Sequence, residues 1–591
     1  MSKSTTLGKS ILEMRQRSTG KPAVQFKIKD KWVSKSWTEY YRDIELAGSA
    51  LLALGVKPGD RVAIMANTRY EWCVADYAIM GIKAITVPIY QNNTAEDVEY
   101  ILNNSEAKVL LCESRGPLKT FESVRAQCPH VKTLVVFEDS TPNTEAITWT
   151  KFLSQGTEYL KSQPKKYEEL CGSLKAEDTA TILYTSGTTG RPKGVILTHL
   201  QAFSEVSEAF PLFPATVEDT SLTFLPYAHI LGRIEHWGHL YIGFTLAFAE
   251  NLEKIKSNLQ EIRPTFMISV PRIFEKIYAG IWGQVQSSPV KLRLFKWAIG
   301  VGQKVSEHKM SGQILPLDLL VQYELAKKLV LNKISDAFGG RFRFAVSGGA
   351  PISREIAIFF HSANVLVLEG YGLTETTAAI TVNTPFNYRF GSVGRPIGEV
   401  KLKIAADGEI LVKSDKVMKE YYNNPEATKE VFTDGWFHTG DIGEILPGGD
   451  LKITDRKKDL IKTAGGKYVA PQRLEGLLKM SPVISQVLIH GDQKKYIVAL
   501  VTVDRPYVEK VAKEKGISTP WPELAKAPQI QDLVRQAVAE ANSTLASYES
   551  IKKYLILPVE FSVEGGEMTP SMKVKRKVLD QRYAKEIEGL Y

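Results

Sequence analysis

Cysteine is scarce in this sequence: Cys73, Cys112, Cys128 and Cys171 are four among 591 residues, and no two of them stand as C-x-x-C. That excludes a disulfide-stapled scaffold and leads to the expectation of reduced thiols in a cytosolic compartment. Long hydrophobic runs are missing as well. The most apolar stretch, around residues 240–249, is shorter than the roughly 18 residues that a bilayer-spanning helix needs. The beginning, MSKSTTLGKSILEMRQRS, has basic residues but neither an apolar core nor a small-residue cleavage site, so no signal peptide is expected. Zinc-finger, RRM-like and basic-zipper patterns are absent, and the net charge of +9 is spread along the chain rather than gathered in one block, which disfavours DNA or RNA as a partner. No internal repeat or low-complexity tract suggests a solenoid or a linker.

What is present reads as a multidomain globular protein. Hydrophobic residues make up 44% and charged residues 24%, an ordinary balance, and 591 residues exceed one compact core. The positive charge favours anionic partners: polyphosphates, coenzyme A or acidic lipid headgroups. A Pro-Gly-Asp turn leads into the β-prone run RVAIM, AITVPIY follows, and EWCVADYAIMGI between them has helical character. The alternation continues through TLVVF, ATILY, LTFLP, TFMISV, RFAVSGG and VLVLEGYG. This predicts an α/β fold of mainly parallel sheets covered by helices. The charge-rich segments 291–309 and 319–338 read as surface helices. Near Asp455 the composition turns to charge and glycine before a new α/β pattern begins. The expected division is a large domain over 1–457 and a smaller, mobile α+β domain over 458–591.

The strongest local feature is YTSGTTGRPKGV, in which a strand runs into Thr185, Ser186, Gly187, Thr188, Thr189, Gly190, Arg191, Pro192 and Lys193. Glycines let backbone N–H groups approach an anion, hydroxyls add donors, and Lys193 adds positive charge. It is not a Walker A loop, because Pro192 stands where that motif needs glycine.

The loop is similar to the signature of the acyl-adenylate-forming superfamily, which includes acyl-CoA synthetases, luciferases and peptide-synthetase adenylation domains, and further segments in the expected order extend the resemblance over nearly the whole chain. VLVLEGYGLTET supplies Glu369, Gly370, Tyr371, Gly372, Thr374 and Glu375. The resemblance implies that Tyr371 stacks on adenine, Thr374 meets the α-phosphate, and Glu375 holds Mg2+ with Thr185 nearby. VSGGAPIS resembles the adenine-side loop, with Gly349, Ala350 and Pro351. WFHTGD resembles the ribose motif, with Asp441 accepting from the hydroxyls, and DRKKDLIK supplies Arg456 as a second ribose contact, Lys458 at the hinge and Lys462 on the nucleotide side. EMTPSMKVKRK places Lys573 at the family's catalytic lysine. A cation bridging carboxylate and phosphate would stabilise the transition state of adenylation.

LPYAHILGR, RPTFMISVPRIFEKIY and GKYVAPQ resemble the long-chain fatty acyl-CoA synthetase branch in particular. This implies a role for His229 beside the acyl and phosphate pocket, ATP and coenzyme A as co-substrates, a long-chain fatty acid as substrate, and the Gly465 and Gly466 face at the pantetheine tunnel. Trp237 is expected to pack. His236 and His239 lack a third ligand, so they are read as lying on a surface helix, and no transition metal is expected. Tyr468 and Met572 depart from common family residues. Alternatives remain: an enzyme that stops at acyl-AMP or feeds a carrier protein, and a nucleotide-binding regulatory protein without catalysis. Membrane contact is expected to be peripheral, at the inner face.

Overall fold

The computed structural model describes residues 6–140, 145–185, 191–285 and 288–591. Among these, two large sheets form the scaffold. One has seven strands in the order Ile147–Thr148, Thr133–Val136, Val109–Cys112, Arg61–Met65, Ile85–Ile89, Thr179–Thr185 and Lys193–Thr198, parallel throughout except for the last pair. The other has nine strands, with Phe344–Ser347, Phe266–Ser269, Thr220–Thr223 and Thr245–Phe248 running parallel through its middle and antiparallel pairs at both edges. Central strands such as Val109–Cys112 are buried at every residue, which is why they read as continuous apolar runs rather than as alternation: helices cover both faces.

The helix Tyr70–Gly81 is buried at every position except Glu71. A helix apolar all round belongs inside a fold, and this one meets the helix Ile230–Ile242 between the two sheets. Its Asp76 is fully buried and pairs with the equally buried Arg233 of that second helix. The cluster reaches into the seven-stranded sheet: Thr86 donates to Asp76 Oδ1 at 2.7 Å, and Arg233 Nη1 donates to Thr181 Oγ1 at 2.7 Å. Burial alone would raise the Asp76 carboxyl, but Arg233, His236 and Thr86 together hold it down at about 2. His236 and His239 therefore do not lie on a surface helix. Both are fully buried, with His236 3.4 Å from Asp76 and its ring tilted against that of Tyr77 at 4.0 Å, and His239 stacked on Trp37. Their spacing looked polar only because buried charge on the neighbouring helix cannot be seen in a linear pattern. Trp237 packs, fully buried, with Arg233 over its ring at 5.0 Å.

Strands from Lys401–Ile404 to Leu451–Arg456 form a five-stranded antiparallel sheet, an architecture that the parallel expectation did not include. A separate hydrophobic core begins at Ile461 and surrounds the strands Ile484–His490, Ile497–Val503 and Ile551–Leu557. The first two pair antiparallel and the last two parallel, so this C-terminal unit is α+β. The helices Pro289–Ser311 and Leu317–Ala326 are surface elements with one face buried, through residues such as Phe295, Ile299 and Tyr323.

Removing one partner of a buried ion pair leaves an uncompensated charge, at a cost of about 3–5 kcal/mol. Asp76→Asn is accordingly expected to lower the urea midpoint for unfolding of the large domain strongly, whereas the double variant Asp76→Leu/Arg233→Met recovers most of the loss. Near-wild-type unfolding of the single variant would show that the pair is not a structural clamp.

Candidate active site

The strands of both large sheets deliver side chains to one cleft. In the strand Leu366–Leu373, Gly372 stands where an added Cβ would come 1.5 Å from the Ala378 carbonyl of the neighbouring strand, so only glycine permits the pairing. The chain then turns through Thr374–Thr376, presenting Thr374 and Glu375. Glu375 Oε1 accepts from the Tyr421 hydroxyl at 2.8 Å, and the Glu375 carbonyl accepts from Met418 N–H at 2.6 Å. Tyr421 in turn lies 5.1 Å below the ammonium of Lys193. Lys193 is the register partner of Thr185 across an antiparallel pair. Glu375, Lys193 and Thr185 are thus joined through Tyr421, a residue that no motif in the sequence flagged. Ser186, Gly187, Thr188, Thr189 and Gly190 lie outside the described residues.

A second group forms where Asp441 and Arg456 face each other across paired strands, with Arg456 Nε 3.4 Å from Asp441 Oδ1. The Tyr371 hydroxyl donates to Asp441 Oδ2 at 2.7 Å. Burial raises the Asp441 carboxyl, against the lowering influence of Arg456 and Tyr371. Burial also raises the Tyr371 phenol well above its ordinary value. The Gly348–Pro351 segment borders the same edge: Gly348 N–H donates to the Ser269 carbonyl at 3.1 Å, Gly349 adopts φ +81°, and Ala350 and Pro351 are exposed. Glu369 is inside rather than in the cleft. Its Oε1 accepts from Ile352 N–H at 3.2 Å, and burial pushes its carboxyl up to about 8, so it braces this segment as a neutral acid. Gly370 packs against Val382 beside it.

Lys573 enters from the C-terminal unit. It sits on a tight turn: Lys573 N–H donates to Thr569 Oγ1 at 3.0 Å, and Thr569 N–H donates to the Lys573 carbonyl at 2.8 Å. Met572 has φ +62°, a region that glycine enters without strain and a side chain only at a cost. Asn92 Nδ2 donates to the Pro570 carbonyl at 3.3 Å and pins the turn to the large domain. Crowding by protein atoms, then the charge of Arg456, pushes the Lys573 ammonium down towards about 8, while Asp441 and Glu375 oppose that. Its surface remains open to the water of the cleft, which screens part of the effect and places its titration at or above that value.

His229 caps the helix Ile230–Ile242, its Nδ1 accepting from Leu231 N–H at 3.2 Å. Burial, reinforced by Lys573, holds the imidazole neutral with a pKa of about 3, and the cap leaves Nε2 as its N–H. Lys458, Lys462, Gly465 and Gly466 stand apart from this group on exposed surface of the C-terminal unit; Lys462 lies over the ring of Tyr468 at 5.7 Å.

An apolar cavity with about 550 Å3 of free space, its open mouth included, adjoins the cleft. Leu231 and Ile234, on the helix that His229 caps, form one wall, and Val346, two residues before Gly348, forms another. Phe213, Phe344 and Phe266 stack in series at 5.4 and 5.5 Å as a third. The cleft beside it gathers the cationic side chains of Lys193, Arg456 and Lys573. A Glu375 carboxylate and a Thr185 hydroxyl suit Mg2+, which takes few protein oxygens and completes its shell with water and phosphate oxygens. Among the described residues, no cluster of three or more His, Cys, Asp or Glu side chains could hold a metal without such help.

The chain is similar to proteins of known family over almost its whole length. The AMP-binding enzyme family matches residues 13–422, and the C-terminal domain of AMP-binding enzymes matches residues 458–591. A long-chain-fatty-acid–CoA ligase of Mycobacterium bovis is 38% identical over 95% of this chain and 92% of its own length. Long chain acyl-CoA synthetase 1 of Arabidopsis thaliana is 32% identical over 94% of this chain and 87% of its own. Among solved structures, the adenylation domain of a carboxylate reductase from Mycobacterium chelonae superposes with a TM-score of 0.75 at 25% identity, covering 99% of this chain and 91% of that one. An anthranilate CoA ligase in complex with anthranoyl-AMP shares the fold, with a TM-score of 0.73 at 18% identity over 99% of this chain and 98% of that one. With both family patterns matched in order, and with relatives above 30% identity along nearly the full length, this chain belongs to the AMP-binding enzyme family.

Proposed function

We propose that the protein ligates a long-chain fatty acid to coenzyme A at the expense of ATP, through an acyl-AMP intermediate, as its ligase relatives are named for doing. The observation that carries this reading is the position of Lys573: a lysine from the C-terminal unit stands near enough to Asp441, Arg456 and Glu375 to feel their charges, and near His229, whose helix lines an apolar cavity.

In the first half-reaction a carboxylate oxygen attacks the α-phosphorus, the bond to the β-phosphate oxygen breaks, and pyrophosphate leaves. The Lys573 ammonium bridges carboxylate and α-phosphate, two anions that otherwise repel. Asp441 accepts from the ribose hydroxyls while Arg456 holds that carboxylate in place, and Tyr371 borders the base. Lys193 neutralises the outer phosphates. Neutral His229 offers its Nε2–H towards the phosphate and carboxylate. Mg2+, bound by Glu375 and Thr185, would supply charge neutralisation for departing pyrophosphate. In the second half-reaction the thiol of coenzyme A gives its proton to solvent and attacks the acyl carbonyl; the bond between the acyl carbon and the phosphate oxygen breaks, and AMP departs with the bonding pair. AMP is a good leaving group where oxide is not, so the two steps together make the thioester accessible.

The second step requires Lys573 to vacate its place. The C-terminal unit has its own core, which begins at Ile461, and its hydrogen bonds to the large domain include single side-chain contacts such as Asn92 to Pro570 and Arg272 to Ser485. The proposed boundary lies between residues 457 and 458, with Lys458 as the hinge and Gly465 and Gly466 swinging in to line the thiol path. No helix among the described residues is long and apolar enough to cross a membrane; the reading places the protein in the cytoplasm, with peripheral membrane contact.

Lys573→Ala is expected to slow acyl-AMP formation by about 10²–10³-fold, while thioester formation from supplied acyl-AMP stays within a few-fold of wild type; equal loss in both halves would contradict the assignment. Because the ammonium must be charged to bridge two anions, kcat/KM for adenylation should fall as pH rises above about 8, and Lys573→Arg should remove that alkaline limb at a lower plateau. Val346→Trp fills the cavity, and should depress kcat/KM for long acids at least about tenfold more than for short ones. An unchanged chain-length profile would place the acyl chain elsewhere.

A further inference from the structure

Large apolar side chains exposed to solvent are concentrated in one place. Of the 17 among the described residues, nine fall between Val290 and Leu329, in the hairpin formed by the helices Pro289–Ser311 and Leu317–Ala326 with its continuation. Their spacing is helical. At 100° per residue, Val290, Leu294 and Trp297 lie within an arc of about 60°. Leu317, Val321 and Leu325 recur every fourth residue along the second helix, Leu317 at 76% and Val321 at 63% exposure. Ile314, in the connection between the helices, is 94% exposed. Both helices already bury a different face inward, through Phe295 and Ile299 on one and Leu319 and Tyr323 on the other. The outward stripes are therefore surplus to folding, and an exposed apolar patch of this extent marks an interaction surface.

The charge around the stripe specifies the occupant. Between residues 289 and 306 stand Lys291, Arg293, Lys296 and Lys304 with no acidic residue, all four exposed. Arg293 and Lys304 fall beside the apolar arc. Over residues 289–329 as a whole, seven Lys and Arg side chains stand against three acids, Glu307, Asp318 and Glu324, so two copies of this face would meet with net positive charge on both sides. An anionic bilayer attracts them and accepts the apolar side chains between its headgroups.

We propose that this helical hairpin lies flat on anionic phospholipid surfaces. It is one packing layer from the acyl cavity: Trp282, on the helix Pro271–Val285, packs against Phe295 at 5.0 Å, and that helix follows the strand bearing the cavity residues Phe266 and Ile268. The docking surface deepens the reading above, on which it rests for its purpose, since long-chain acids partition into bilayers and are taken up there.

The test uses the full chain in flotation assays with phosphatidylcholine vesicles with and without phosphatidylglycerol. Wild type is expected to float with the anionic vesicles, less so at high salt. The variant Leu294→Glu/Val321→Glu/Leu325→Glu is expected to lose that binding about tenfold or more. Arg293→Glu/Lys296→Glu should lose only the preference for phosphatidylglycerol. ATP–pyrophosphate exchange with a water-soluble short acid, unchanged in both variants, verifies folding. Flotation of the triple variant equal to wild type, or no flotation of wild type, overturns the proposal. So does a wild-type dimer in sedimentation that the triple variant dissolves without any vesicle binding. Intact flotation without acyl-CoA synthesis would instead remove the proposed function and leave the docking surface standing.

Discussion

The buried pairing of Asp76 with Arg233 is the constraint on which the rest of the large domain depends. Two charges without solvent contact require mutual fixation and further hydrogen bonds, and these come from Thr86 and Thr181 of the seven-stranded sheet. The helix that carries Arg233 follows a strand of the nine-stranded sheet, so one ion pair ties both sheets through the helical layer between them. That same helix begins at His229 and offers Leu231 and Ile234 to the apolar cavity. Fixing it fixes the relation between the apolar cavity and the cationic cleft, the geometry that the proposed attack of a carboxylate on a phosphorus demands.

Against that rigid frame stands a lightly attached C-terminal unit. Lys573, its proposed reactive contribution, stands on a turn whose hydrogen bonds are nearly all internal, held to the large domain by the Asn92 contact. A thin interface suits the proposed departure of this unit between half-reactions, because few of the hydrogen bonds among the described residues cross it. The crowding that depresses Lys573 would be relieved by the negative charge of ATP and acid, so on the proposed reading their binding favours the closed arrangement.

The strands of the parallel sheets were legible because strands buried on both faces advertise themselves as apolar runs, and motifs singled out Tyr371, Glu375, Asp441, Arg456 and Lys573. The structure brings these five to one cleft. What sequence could not reveal lay in contacts between distant segments. Tyr421 supports Glu375 from 46 positions away, and His236 and His239 read as surface polar residues while they are buried against Asp76, Tyr77 and Trp37. Glu369 sits within a nucleotide motif, yet its carboxyl turns inward to Ile352. Each involves partners brought together only by folding. The exposed stripe of the 289–329 hairpin was hidden for a related reason, since periodicity shows which residues share a face but not which face is covered.

Oxygen tracing tests the central claim most directly. A long-chain acid labelled with 18O in its carboxylate, incubated with the protein, ATP and coenzyme A, should yield acyl-CoA together with AMP carrying one labelled oxygen, because the acid attacks the α-phosphorus and the later thiol attack breaks the carbonyl C–O bond. Label in inorganic phosphate with ADP as product, or unlabelled AMP beside acyl-CoA, would contradict the acyl-AMP route.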